Sequence, residues 1–326
     1  MKVSHAETEN QGGGRISVGG QAVIEGVMMR SPNRVSVAVR RPDGEIEVLG
    51  WDFVSATKRH KILALPIIRG MVNLVEMLYW GIKTLELSAH IVSGEKSDNV
   101  SAGAKIWSAV SLILGLGIAV VVFAYFPLWV GSAIGFRENP LMFNITAGVV
   151  RVALFLGYLY AISLMKDIKR LFRYHGAEHK TIFAFENNEP LTVDRIQKYS
   201  TFHPRCGTSF LLIVAFAAIV FFAVVDGIIY AVWGFAPKPV VRLPIHLLLV
   251  PVLAGVAYEL LKLSDKFSRS SWMGKILVAP GLWLQHITTQ PPDDSMIEVA
   301  VASLMDSIKN IGISDVGGQT RKEFAR

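Results

Sequence analysis

Cysteine is almost missing from this chain, and charge is scarce. A single cysteine, Cys206, in 326 residues excludes an internal disulfide framework, so the fold depends on no oxidising compartment. Charged residues make up 18% against 52% apolar, and the mean hydropathy is +0.42, which is too little charge for the surface of an ordinary soluble protein. The first 20 residues, MKVSHAETENQGGGRISVGG, contain no apolar run of the kind a secretory signal needs, and the N-terminus is expected to stay in the cytoplasm. A net charge of +7 could point to nucleic acid. The Lys and Arg residues gather beside apolar spans instead, so membrane orientation accounts for them and no nucleic-acid partner is expected.

Four segments reach the roughly 20 apolar residues that cross a bilayer: Ile106 to Leu128, Leu141 to Met165, Thr208 to Phe235 and Leu243 to Leu261. Lys166, Lys169, Arg170, Arg173 and further basic residues separate the second from the third, whereas Arg137 alone separates the first from the second. The positive-inside rule then puts both termini and the long central loop in the cytoplasm of a bacterial cell, with the protein a multi-pass component of the inner membrane. Arg151 and Asp226 fall inside spans, each about 12–14 Å from the outer helix end at 1.5 Å per residue. Charges in hydrocarbon need partners, and matching depth predicts an ion pair between them.

Lys61 to Ala89 is apolar around most of a helix, yet Arg69, Asn73, Glu76 and Lys83 form one polar stripe, which predicts an amphipathic membrane-associated helix that does not cross. Upstream, VSVAVRRPDGEIEVLGW alternates around Pro42-Asp43-Gly44, the signature of a hairpin. The glycines of GGQAVIEGVMMRSP, which also holds Gln21, Glu25 and Arg30, suit a strand laid on a site or a packed strand pair. The expected architecture is a mainly α-helical polytopic membrane protein with about four transmembrane helices, one amphipathic helix, a small N-terminal β unit and a re-entrant or interfacial C-terminal segment. Its divisions are 1–60 (tail and β unit), 61–92 (amphipathic helix), 105–165 (first transmembrane pair), 166–207 (cytoplasmic loop), 208–262 (second pair) and 263–326 (interfacial segment, amphipathic helix and tail).

The central loop carries RYHGAEHKTIFAFE. Its H-x-x-E-H order sets His175 and His179 on one helical face, the spacing at which two imidazoles hold one metal, with Glu178 as a candidate general base. Solvated residues on a basic helix are the plain alternative. Further ligands map to the same membrane face: His203 and Cys206 in FHPRCGTSF, Glu259 at the end of the fourth span, and His286 in GLWLQHITT. Glu259 or the His203/Cys206 pair could complete a zinc site, or one for another divalent transition metal. Cys206 could equally be a buried thiol or a nucleophile served by His203, and Glu259 a partner for Lys262 or Arg205. In GKILVAPGLWLQHITTQPP, Pro280-Gly281 predicts a broken segment laying Gln285 and His286 beside the loop histidines.

Together GGQAVIEGVMMRSP, HGAEHKTIFAFE, FHPRCGTSF and APGLWLQHITTQPP resemble the YqhQ-like family of uncharacterised bacterial integral membrane proteins, described as predicted metal-dependent enzymes. The similarity extends from about Gly19 to about Lys309. It implies that His175, Glu178, His179, His203, Cys206 and His286 stand at motif positions of one architecture, and it implies no substrate. The leading expectation is a metal-dependent hydrolase acting on a substrate at the membrane interface. The second is a non-enzymatic membrane factor that binds a protein partner or anionic lipid through the basic loop and β unit. A transporter ranks third, because no inverted repeat is visible.

Overall fold

A computed structural model describes residues 17–94, 102–204, 206–268 and 272–309. The N-terminal tail, Arg205 and the C-terminal tail lie outside them. Four strands, β1 (Gly19–Val23), β2 (Gly26–Arg30), β3 (Arg34–Arg40) and β4 (Ile46–Asp52), form an antiparallel sheet in the order β1-β2-β3-β4. Gly44 makes the β3–β4 reversal at φ 91°, as the Pro-Asp-Gly signal predicts. The β1–β2 reversal is a two-residue turn with Glu25 at φ 52°.

Successive side chains of a strand point to opposite faces, and here both faces are covered. Val35, Val37 and Val39 join Val23 and Met28 against Trp80 of α2 (Ile68–Ser93). On the other face Val27, Met29 and Ala38 meet Tyr174 and Ala177 of α6 (Lys166–Glu186), and Val299, Ala300 and Leu304 of α11 (Asp294–Ile308). The β unit is therefore the middle layer between helices from three separate parts of the chain. The Arg34 guanidinium ties β3 to α11, donating to the Asp306 carbonyl and carboxylate at 3.0–3.1 Å.

Among the described residues four helices are long and apolar enough to cross a membrane, at Val110–Ala133, Pro140–Ser163, Leu211–Trp233 and Pro239–Leu263. The first combines α3 (Ala102–Ala119), a π-helical turn at Val120–Tyr125 and α4 (Phe126–Ala133); the others are α5 (Pro140–Ser163), α8 (Gly207–Trp233) and α9 (Pro239–Ser268). The short α1 (Ala56–Arg59) precedes α2, and α7 (Val193–Ile196) follows α6. The C-terminal apolar segment is one helix, α10 (Trp272–Thr288), which continues through Pro280 and packs on α8 and α9.

Two expectations inside this bundle are corrected: α10 is not broken at Pro280-Gly281, and the ion pair across spans two and three does not form. Arg151 and Asp226 do not pair. Measured from the observed helix ends, Arg151 lies about 17 Å from Pro140 and Asp226 about 10 Å from Trp233, a mismatch exceeding one turn. Asp226 instead accepts from Asn144 Nδ2 at 2.7 Å and His246 Nε2 at 3.1 Å, with Arg242 Nη1 at 3.6 Å. Between α5 and α6 the chain breaks at Met165, extended at φ −72°, ψ 137°, which frees α6 to follow the sheet.

α2 leaves the bundle where Gly70 crosses Gly255 of α9. A Cβ on Gly70 would lie 2.8 Å from Tyr258 Cβ and 2.9 Å from Gly255 Cα. Arg69 donates to the Glu259 carboxylate beside the crossing. Ile67 enters α2 at φ 67°, a rare conformation for a β-branched residue. Val75, Leu78, Ile82 and Leu85 stay exposed on one stripe, as an interfacial helix requires. Gly70→Ala should lower stability by about 1–3 kcal/mol through overpacking, read as an earlier thermal midpoint in detergent. An unchanged midpoint would mean that α2 does not seat on α9.

Candidate metal centre

α6 is an unusual helix because its polar turn is buried. Glu178 is 4%, His179 2%, Lys180 8% and Thr181 0% exposed, since the sheet, α11 and the chain at residues 200–204 and Cys206 surround it. Buried polar groups need partners, and those of the two histidines are main-chain carbonyls. His175 Nδ1 lies 2.8 Å from the Thr288 carbonyl, and His179 Nδ1 bonds the Thr201 carbonyl. A carbonyl only accepts, so each ring carries its proton on Nδ1. Each Nε2 then presents its lone pair, the tautomer and orientation that a metal ligand needs.

Both Nε2 atoms face the same small space. Cys206 Sγ is 3.3 Å from His175 Nε2, and Glu178 Oε2 is 3.7 Å from His175 Nε2 and 3.8 Å from His179 Nε2. The ligand atoms of His175, His179 and Cys206 all lie within 4.8 Å of one another, so the group could hold a metal ion. Zinc bound through nitrogen at about 2.05 Å and sulfur at about 2.3 Å sets a tetrahedral N···S edge of about 3.6 Å. The His175–Cys206 separation is already close to that edge.

The electrostatics follow from enclosure. Burial pushes the Glu178 carboxyl up, opposed by the fields of His175 and His203 and by the backbone N–H of Gly20. Burial also pushes His179 down, keeping it neutral, which is the ligating form. Lys180 is lowered by burial too, and its Nζ donates to the Gln197 carbonyl at 2.6 Å.

Three remote segments shape the site. β1 approaches so closely that a Cβ on Gly20 would stand 2.9 Å from Glu178 Cγ and Oε1. The Gln285 amide of α10 grips the His203 main chain, accepting from its N–H at 2.7 Å and donating to its carbonyl at 2.8 Å; this sets the loop that presents Cys206. Gly176 admits the Gln290 carbonyl, 2.1 Å from where a Cβ would be, and Gln290 N–H donates to the Phe172 carbonyl at 2.9 Å.

Not every candidate ligand joins the cluster. His203 stands at its edge, 5.7 Å from His179 between ring centres, with Nε2 3.6 Å from Glu186. Glu259 is engaged by Arg69 at the α2–α9 crossing. His286 is exposed and stacks on Phe202 at 4.4 Å. Both are drawn away by nearer partners, so the third member of the cluster is Cys206. Thr201 and Thr288 went unnoticed in the sequence because they act through carbonyls, which any residue carries. Gly20 and Gly176 were visible as glycines, and only packing shows why no side chain fits.

The family described as a protein of unknown function, DUF1385, matches residues 65–310. The chain is also 31% identical over 319 residues to the uncharacterized protein YqhQ of Bacillus subtilis (strain 168), covering 91% of this chain and 94% of that one. No solved structure matches it.

Because burial raises Glu178, the metal-free folded protein binds that proton more tightly than the unfolded chain, so its stability should fall as pH rises above the ordinary carboxyl range. Glu178→Gln removes the ionisation and keeps an acceptor for Gly20. Metal-free Glu178→Gln should therefore melt several degrees above wild type at pH 8, with the gap closing toward pH 4. A lower midpoint at pH 8 would show that the carboxylate is stabilised where it lies.

Proposed function

The chain belongs to the DUF1385 family of proteins of unknown function, and we propose that it is a metal-dependent hydrolase of the bacterial inner membrane, working at the cytoplasmic interface. The observation that carries this reading is the convergence of two Nδ1-anchored imidazoles and one thiol beside a buried carboxyl. His175, His179 and Cys206 would hold zinc or another divalent transition metal, which supplies Lewis acidity and acidifies water at such a site. The donor set fits: two imidazoles and a thiolate suit zinc, and three protein ligands leave one position open.

Glu178 is the proton-handling group. Its raised affinity for a proton brings it nearer to neutrality, where a general base passes its proton on most effectively. Oε2 takes the proton from the attacking water and returns it to the leaving group. The Thr201 and Thr288 carbonyls hold both rings in place throughout, and Gln285 fixes the loop bearing Cys206. The basic residues of the central loop favour the cytoplasmic side for this site, beside spans and an interfacial helix, which suits a peptide or lipid-linked substrate presented at the membrane surface.

A second reading rests on two nearly equal distances. Glu178 Oε2 is about equally far from both Nε2 atoms, so it could close the coordination as a fourth ligand. The metal would then be structural and the protein a non-enzymatic membrane factor.

Plasma mass spectrometry of untagged protein should find close to one transition metal per chain. His175→Ala with His179→Ala should abolish it, and Gln285→Leu should weaken metal affinity about 10–100-fold through the loosened loop. Glu178→Gln should retain the metal and lose hydrolysis of any substrate that wild type cleaves; loss of the metal in that variant would favour the closed site. Absence of metal from wild type, even with added zinc, would remove the enzyme reading.

A further inference from the structure

Arg151 is a cation midway along span two with no anion beside it among the described residues. It stands eleven residues after Pro140 and twelve before Ser163 in α5, about 17 Å and 18 Å from the two ends. Its Nε donates to the Phe123 carbonyl at 2.9 Å, in the π-helical turn of span one, where the wider winding frees a main-chain acceptor. Its remaining donors meet no acceptor among the described residues, and the side chain is only half-buried. Guanidinium does not give up its proton, so the charge persists and needs a counter-charge at that depth.

The neighbouring half of span one is also bare. Leu112, Ile113, Leu114, Leu116 and Ile118 of α3 are 61–73% exposed. Residues 112, 113 and 114 point in three directions, so this stretch is open on all sides. Helices of a bundle normally hide one face against another helix.

We propose that Arg151 and the N-terminal half of span one form a seat for a transmembrane helix of another polypeptide, one carrying an Asp or Glu at mid-span. Depth selects this occupant: a phosphate headgroup lies some 15 Å from the midplane, beyond a hydrocarbon layer about 30 Å thick, whereas a mid-span carboxylate meets Arg151 directly. A second copy of this chain does not supply it. The acidic residues of the four spans are Asp226 and Glu259; the first is enclosed by Asn144, His246 and Arg242, and the second is held by Arg69 near a helix end.

The test uses full-length donor-labelled protein in phosphatidylcholine vesicles and acceptor-labelled synthetic Leu/Ala helices, with energy transfer as the readout. A helix with one central Asp should associate about tenfold more tightly than the same helix with Leu there. Arg151→Leu should erase the difference, and Arg151→Glu should transfer the preference to a helix with a central Lys. Equal transfer from the Asp and Leu helices to wild type would overturn the proposal, and that comparison needs no variant to fold. So would a preference that survives Arg151→Leu. If anionic phosphatidylglycerol competes the Asp helix away from wild type but not from Arg151→Lys, a lipid phosphate is the true partner and the proposal falls.

Discussion

Burying Glu178 between two imidazoles is the constraint to which the rest of the structure answers. A carboxyl and two rings withdrawn from water are tolerable only if each polar atom finds a partner, and one helix cannot supply those partners to itself. They come from Gly20 in β1, from the carbonyls of Thr201 and Thr288, and from the thiol of Cys206. The sheet, the loop before α8 and the end of α10 are therefore all held against α6. The glycines at 20 and 176 are the steric counterpart, since main chain must come where a Cβ would collide.

The same accounting applies in the membrane, with a stricter solvent. Asp226 is 1% exposed and collects an amide, an imidazole and a guanidinium from two other helices. Arg242, fully buried, lies over the Phe143 ring at 3.8 Å and donates to the Arg137 carbonyl at 3.1 Å. Polar groups thereby join α5, α8 and α9 at one end of the bundle, where apolar contact alone gives helices little preference over lipid.

Hydropathy made the four spans legible to within a few residues, because bilayer thickness imposes a length that no other pattern mimics. The hairpin at Pro42-Asp43-Gly44 was legible because its turn needs a residue tolerant of positive φ. His175, Glu178 and His179 were legible because a helix converts spacing into a shared face. What stayed hidden depends on approach between distant segments. Arg151 and Asp226 looked nearly equal in depth because the second span was started one residue late and the third ended two residues late, and each observed end widens the gap; His246 and Arg242 drew no attention near the start of an apolar span. Glu259 and His286 are instead engaged by Arg69 and Phe202, and neither belongs to the cluster of His175, His179 and Cys206.

The site also shows why its two halves belong to one molecule. α10 packs on α8 and α9 within the apolar bundle, while its last turns carry Gln285, which sets the Cys206 loop, and Thr288, which orients His175. Cys206 itself immediately precedes α8. Any shift of α8 against α10 must therefore change the distance between the thiol and the ring that faces it at 3.3 Å. The sheet-covered side is anchored differently, through Gly20 on Glu178. One face of the cluster thus follows packing among the apolar helices and the other follows the sheet layers, so the geometry of the candidate metal centre is a property of the whole fold and not of the α6 motif in isolation.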